Sequence, residues 1–298
     1  MLYFLYALNA LLMIGMPIAL GVWLARRTRA PWSLFGIGAV TFIGSQVVHI
    51  PLNAGLTALF RVIWPGAQPQ PWHIPFNAVV LGLTAGLCEE TARYIGYRWM
   101  ARKARAWRDA LMLGAGHGGT ESIILGVLAG LAFVSLAAAR QMDLAARGLT
   151  GEQLALAQQQ VAAYWSAPWY MALMGAVERL SAIVIQVSLA VIVLQVFIRN
   201  DWRWLVVAIG YHLVVDGMAV AGLQSGWPVL VIEATVAVLA LVSLAIIRGL
   251  RPRGEPLIPP ETPPVSTPGV SEVSRPESRR EADVQDQLDR SRYTQGER

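Results

Sequence analysis

Residues 76–100 read FNAVVLGLTAGLCEETARYIGYRWM, and they begin as a membrane-spanning helix. The run is long enough for the task, since about 20 apolar residues cross the hydrocarbon core. From position 89, however, it carries Glu89, Glu90 and Arg93. A carboxylate at mid-bilayer costs about 2.5–3.5 kcal/mol on insertion scales, so two adjacent ones need a purpose. Working outward, six more runs read as spans: 2–25, 33–60, 108–139, 168–198, 202–223 and 227–249. Three of these also hold charge in patterned sets: His117-Gly118-Gly119-Thr120-Glu121, Glu178-Arg179, and His212 with Asp216. The fold class that follows is all-α, a polytopic transmembrane helical bundle of about seven spans.

The composition agrees. Of 298 residues, 55% are hydrophobic and 14% charged, a balance suited to a membrane protein and not to a soluble globule. Residues 251–298 hold 8 of the 24 Lys+Arg, 9 of the 19 Asp+Glu and eight prolines. They lack apolar clusters, which predicts a disordered cytoplasmic tail behind a transmembrane domain spanning 1–250. The basic excess lies in loops, with no interleaved basic and aromatic face, so a nucleic-acid partner is excluded. One cysteine, Cys88, rules out an internal disulfide and a cysteine zinc site. Its apolar neighbours make it a small buried side chain. The N-terminus lacks the basic n-region of a signal peptide and reads as a retained helix.

The loops alternate in charge. Arg26, Arg27 and Arg29 follow the first run, Arg98, Arg102, Lys103, Arg105 and Arg108 the third, and Arg199 and Arg203 the fifth. The positive-inside rule makes these loops cytoplasmic, with the N-terminus outside and the C-terminus in the cytoplasm of a plasma (inner) membrane protein. Trp64, Trp72, Trp165, Trp169 and Trp227 then suit the outer aromatic belt. Pro51 should bend the second run. A short surface helix is expected near 150–164, with Thr150 as its cap.

The charged sets carry the chemistry. Arg93 lies three and four residues after Glu90 and Glu89, on nearly the same helix face. A carboxylate held beside arginine can remain ionised and activate water while its neighbour tunes it. His117 and Glu121 share a face, as do His212 and Asp216. A histidine with an acid one turn away can be an oriented base, an oxyanion donor or a metal ligand. Glycines 114, 116, 118 and 119 permit close approach of another backbone or a substrate. Glu178 and Arg179 point about 100° apart, so each is expected to reach a neighbouring helix: Arg179 an acid of the cluster, Glu178 either Arg93 or a histidine. Their role is support. Gln186, His49 and Asn53 extend the polar interior, and Glu233 has no partner at helical spacing.

Five acids against two arginines leave this interior at −3 if all are ionised, which a low-dielectric core does not tolerate. Either a divalent cation such as zinc enters, with His117, His212 and Glu90 as candidate ligands, or some acids are protonated. Both solutions stay open at this point.

Glu89-Glu90-x-x-Arg93, Gly114-Ala115-Gly116-His117-Gly118-Gly119-x-Glu121, Glu178-Arg179 and His212-x-x-x-Asp216 together resemble the YhfC-type intramembrane peptidases. These are akin to the wider group containing the CAAX-prenyl proteases and PrsW. The glutamate-to-arginine spacing is one residue shorter here than in the CAAX-type pattern. The resemblance implies Glu89 as water activator, with Glu90 and Arg93 in support, and His117 and His212 as essential histidines. The expected function is hydrolysis of a peptide bond in or beside a membrane-embedded protein or peptide. Glu121 and Asp216 would orient the imidazoles. Two rivals are a proton-coupled transporter, which predicts inverted repeats and broken helices, and an inactive scaffold whose ion pairs only fix the bundle.

Overall fold

A computed structural model describes residues 1–63 and 72–254, which belong to one compact unit. The expected tail beyond residue 254 and Trp64 lie outside the described residues. The described chain is helical throughout. Its helices are α1 (Leu2–Thr28), α2 (Trp32–Ile63), α3 (His73–Ile95), α4 (Trp107–Gln141), α5 (Gly151–Ser166), α6 (Met174–Ile198), α7 (Arg203–Gln224) and α8 (Val229–Gly249). A single π-helical turn, Gly96–Met100, extends α3, and a 3-10 turn, Trp169–Leu173, precedes α6.

Six of these helices are long and apolar enough to cross a membrane: α1, α2, α4, α6 with its leading turn, α7 and α8. The seventh expected span, α3, has the length but falls short in apolarity, because Glu89, Glu90 and Arg93 occupy its last two turns. The outer surface is apolar as well as the core. The largest apolar side chains on the outer faces of α1, α2, α4 and α8 are exposed, while α6 is buried along most of its length. Lipid replaces water as the solvent of those outer faces.

Helix α6 is the axis of the bundle and packs against α1, α4, α7 and α8, while α3 lies along α7 and α2 along α4. The pairings are close because glycines face backbone. A Cβ on Gly38 would stand 2.1 Å from the Leu113 carbonyl oxygen, and one on Gly116 would stand 2.1 Å from that of Phe35. Gly114 meets the Val187 backbone of α6, and Gly82 and Gly86 the Leu213 and Ile209 carbonyls of α7, in the same way, while Gly118 meets the Gln186 side chain. These contacts draw α2, α3, α6 and α7 around the polar residues of α3 and α4.

We expect Gly116→Ala to cost about 3 kcal/mol, the upper end of ordinary overpacking, because backbone cannot yield as a side chain does. Gly130→Ala is the control, since its nearest neighbour would be Ala10 Cβ at 3.6 Å. Equal melting temperatures for the two variants would contradict this packing.

Two local expectations concern α2 and α5. Helix α2 runs through Pro51 without interruption, as membrane helices can when neighbours satisfy the freed backbone. Helix α5 does begin after Thr150, but the threonine side chain makes no capping bond. This helix buries no residue and is held at its far end, where Tyr6 Oη donates to the Tyr164 carbonyl at 2.7 Å. Trp165 Nε1 donates to the Leu136 carbonyl at 3.2 Å.

Candidate active site

Four helices converge on Glu89. Its Oε1 accepts from Gln46 of α2 at 3.1 Å, and its Oε2 accepts from Gln186 of α6 at 3.3 Å. Oε2 also lies 3.1 Å from His117 Nε2 on α4 and 3.9 Å from His212 Nε2 on α7. Arg93 Nη2 stands 3.7 Å away. Glu89 is 6% exposed, so these are interior contacts.

The far nitrogens of both imidazoles are already committed. His117 Nδ1 is 2.9 Å from Thr41 Oγ1, and the threonine hydroxyl gives its one proton to the Gly38 carbonyl at 2.7 Å. His117 Nδ1 must therefore be the donor in that pair. His212 Nδ1 donates to Glu90 Oε1 at 2.6 Å, a carboxylate oxygen that also accepts from Arg93 Nη1. In the neutral form this network assigns each imidazole its proton on Nδ1 and leaves Nε2 bare. His117 Nε2 faces Glu89 Oε2, and His212 Nε2 faces the same oxygen and Asp216 Oδ2 at 3.3 Å. Four lone-pair donors thus confront one another, which is unfavourable unless positive charge sits among them.

The remaining charges divide cleanly. Arg93, fully buried, pairs with Glu90 and donates to Gln186 Oε1. Arg179 pairs with both Glu121, at 2.6 Å, and Glu178. Glu89 and Asp216 are left without a full counter-ion, a local charge of −2. Glu178, 42% exposed at its side chain, can be solvated. Glu90 Oε2 and Arg93 Nε are buried without hydrogen-bond partners.

The donor set fits a divalent cation in its chemistry: two bare imidazole nitrogens, carboxylates beside them, and satisfied outer partners on both rings. His212 Nε2 and Asp216 Oδ2, 3.3 Å apart, stand at the edge of about 3.3 Å expected between two ligands of a tetrahedral site with bonds near 2.0–2.1 Å, while Glu89 Oε2 lies beside both imidazoles. Among the described residues no group of three such side chains is already placed to hold an ion.

His212, Asp216, Gln186, Glu121, Glu178 and Arg179 line a cavity of about 90 Å³. Its more exposed acids, Glu178 and Asp216, connect the buried imidazole to the outside of the bundle.

Several expected placements change. Glu121 does not touch His117: its oxygens accept from Arg179 and from Gln186, at 3.1 Å for the latter. A shared helix face put the two Cα atoms in line, but the His117 ring turns to α2 and α3. Glu178 reaches neither Arg93 nor a histidine, and it does pair with Arg179. The forked guanidinium is long enough to hold its own neighbour and Glu121 together. Glu90 lies on the Nδ1 side of His212, away from Nε2. Thr41 and Gln46 escaped the sequence reading, because a hydroxyl or amide in an apolar helix carries little signal alone. Their spacing from His49 and Asn53, which hydrogen-bond at 2.8 Å, marks one polar face of α2.

No solved structure matches this chain. It is 29% identical over 243 residues to the Uncharacterized membrane protein YhfC of Bacillus subtilis (strain 168), covering 80% of this chain and 90% of that one. The family model described as YhfC intramembrane metalloprotease matches residues 12–240, which include every charged motif from Glu89 to Asp216, and the chain belongs to that family.

Proposed function

We propose that this membrane protein is a metal-dependent intramembrane peptidase in which Glu89 activates water. The observation that carries the reading is the pair of Nε2 atoms turned toward Glu89 Oε2, with each Nδ1 bonded elsewhere and two carboxylates, Glu89 and Asp216, beside them. That arrangement supports a divalent cation better than it supports a proton relay, in which successive groups alternate donor and acceptor. His117, His212 and Asp216 would hold the ion, and zinc suits two imidazoles and a carboxylate. Such an ion polarises a carbonyl and acidifies water.

The chain's own groups do the rest. Glu89 Oε2 takes a proton from water as it adds to the scissile carbonyl, and later passes that proton to the leaving amine. Gln46 and Gln186 fix the carboxylate by holding one oxygen each. Glu90 orients His212, Thr41 orients His117, and Arg93 keeps Glu90 an acceptor. Glu121, Glu178 and Arg179 brace α4 against α6 and line the route to the site. The substrate would be a membrane-embedded protein or peptide.

Metal content of the purified chain tests this. About one equivalent per chain is expected, with loss of at least about tenfold affinity in His117→Ala or His212→Ala and in Asp216→Asn. Wild-type protein that stays metal-free after saturation with zinc, manganese, iron and cobalt would overturn the metal reading.

We also infer a plasma-membrane topology with seven spans, α3 included, the N-terminus outside and the tail in the cytoplasm. Reporter fusions after residue 105 and in the tail should report cytoplasm, and those near 150 and 225 the exterior. The opposite pattern would contradict the assignment from basic loops.

A further inference from the structure

A second cavity, about 530 Å³ in volume, lies away from the charged centre, where α2 begins, α3 ends and α4 begins. Its lining divides by chemistry: Leu34 and Ile37 of α2 and Trp99 of the π turn make an apolar wall, while Ser33, Arg102 and Lys103 make a polar rim. We propose that this cavity is a binding site for one anionic membrane phospholipid, its phosphate on Arg102 and Lys103 and its acyl chains along the apolar wall.

The basic residues of this loop are not equivalent. Arg105 is committed inward: it donates to the carbonyls of Ala101, Ala104 and Tyr97 and lies 4.5 Å over the Phe197 ring. Those bonds fold the turn so that Ala101 and Ala104 are buried and Arg102 and Lys103 between them face outward. Asp109, the acid on the lining, has Oδ2 accepting from the Ala106 amide at 3.1 Å. Its charge is thereby tied to the start of α4.

The π turn gives the cavity its breadth. Ala101 N donates to the Gly96 carbonyl at 2.8 Å, closing a wide turn that leaves Trp99 and Met100 61% and 47% exposed. Single π turns of this kind often mark functional positions. Trp99 stands beside the basic rim, as an amphipathic ring does at headgroup depth. Basic pockets between membrane helices, on the side where arginines collect, match anionic headgroups in charge, and their apolar walls run on into the lipid-facing surface. A free phosphate shares only the first half of that chemistry.

The test is native mass spectrometry of the delipidated full chain, titrated with dioleoyl phosphatidylglycerol and dioleoyl phosphatidylcholine. One phosphatidylglycerol per chain should bind about 30-fold more tightly than phosphatidylcholine, the factor that two basic residues at a headgroup supply. Arg102→Gln with Lys103→Gln should abolish that preference. Arg26→Gln with Arg27→Gln, on another basic stretch, should leave it within about twofold. Millimolar inorganic phosphate should not displace the lipid. Equal affinity for the two lipids, equal loss in the two double variants, or displacement by phosphate alone would each overturn the proposal. None of these readouts depends on peptidase activity.

Discussion

Glu89→Gln is expected to reduce peptide hydrolysis by about 10²–10⁴-fold, the range set by loss of a general base, while metal content and melting temperature stay near wild type. Glutamine keeps the volume of glutamate, its carbonyl oxygen can still accept from Gln186 and its NH2 can donate to Gln46 once that amide turns over, but it cannot take a proton from water. It also removes one of the two negative charges that face bare imidazole nitrogens, so repulsion should fall and stability should hold. Asp216→Asn provides the contrast. Activity should drop there too, but together with metal content, because Asp216 is assigned to hold the ion beside His212 Nε2. Activity assays alone would not separate the two residues. Adding metal analysis does. Equal metal loss in both variants would make Glu89 a ligand and leave the base unidentified.

Arg93→Ala should be the most destabilising substitution in the charged centre, costing about 3–5 kcal/mol and in practice greatly reducing the folded yield. Arg93 and Glu90 are both fully buried, so the substitution would strand a carboxylate that already has one unpartnered oxygen. Gln186 would lose a donor as well. Arg179→Ala should cost less, since its partners Glu121 and Glu178 have side chains 22% and 42% exposed and can turn to solvent. The decisive control is the double variant Glu90→Gln with Arg93→Leu. It removes both charges together and should recover much of the stability, as replacement of buried pairs by neutral groups often does. Differential scanning fluorimetry on the wild type, Glu90→Gln, Arg93→Leu and this double variant completes the cycle. If Arg93→Ala melts with the wild type, this pair does not hold α3 in place.

How far the sequence foretold these relations depended on the kind of signal. Runs of 20 or more apolar residues located the helices to within a few positions, because length in a bilayer is a strong constraint. Charges inside those runs marked Glu89, Glu90, Arg93, His117 and His212, since each is costly unless partnered. Partner choice was less legible. Helical spacing correctly paired Arg93 with Glu90 and His212 with Asp216, yet it also aligned His117 with Glu121, which do not meet. Spacing fixes Cα positions on one helix, whereas rotamers are set by the neighbouring helices, and those could not be read in advance. Gln46 and Thr41 were hidden for the same reason: only the Gly38–Gly116 approach of α2 to α4 gives their ordinary polar groups a role. The apolarity shortfall of α3 follows from Glu89, Glu90 and Arg93, the same charges that place it at the centre of the candidate site.

Hydrolysis of peptide bonds with Glu89 as the base can be read from the products themselves. The purified, zinc-loaded full chain would be reconstituted in lipid nanodiscs with a library of membrane-inserted peptides, and new N-termini would be mapped by mass spectrometry. Wild-type protein should generate a reproducible set of new termini that Glu89→Gln, with equal metal content, does not. New termini appearing equally with Glu89→Gln, or none with metal-replete wild type across the library, would contradict it.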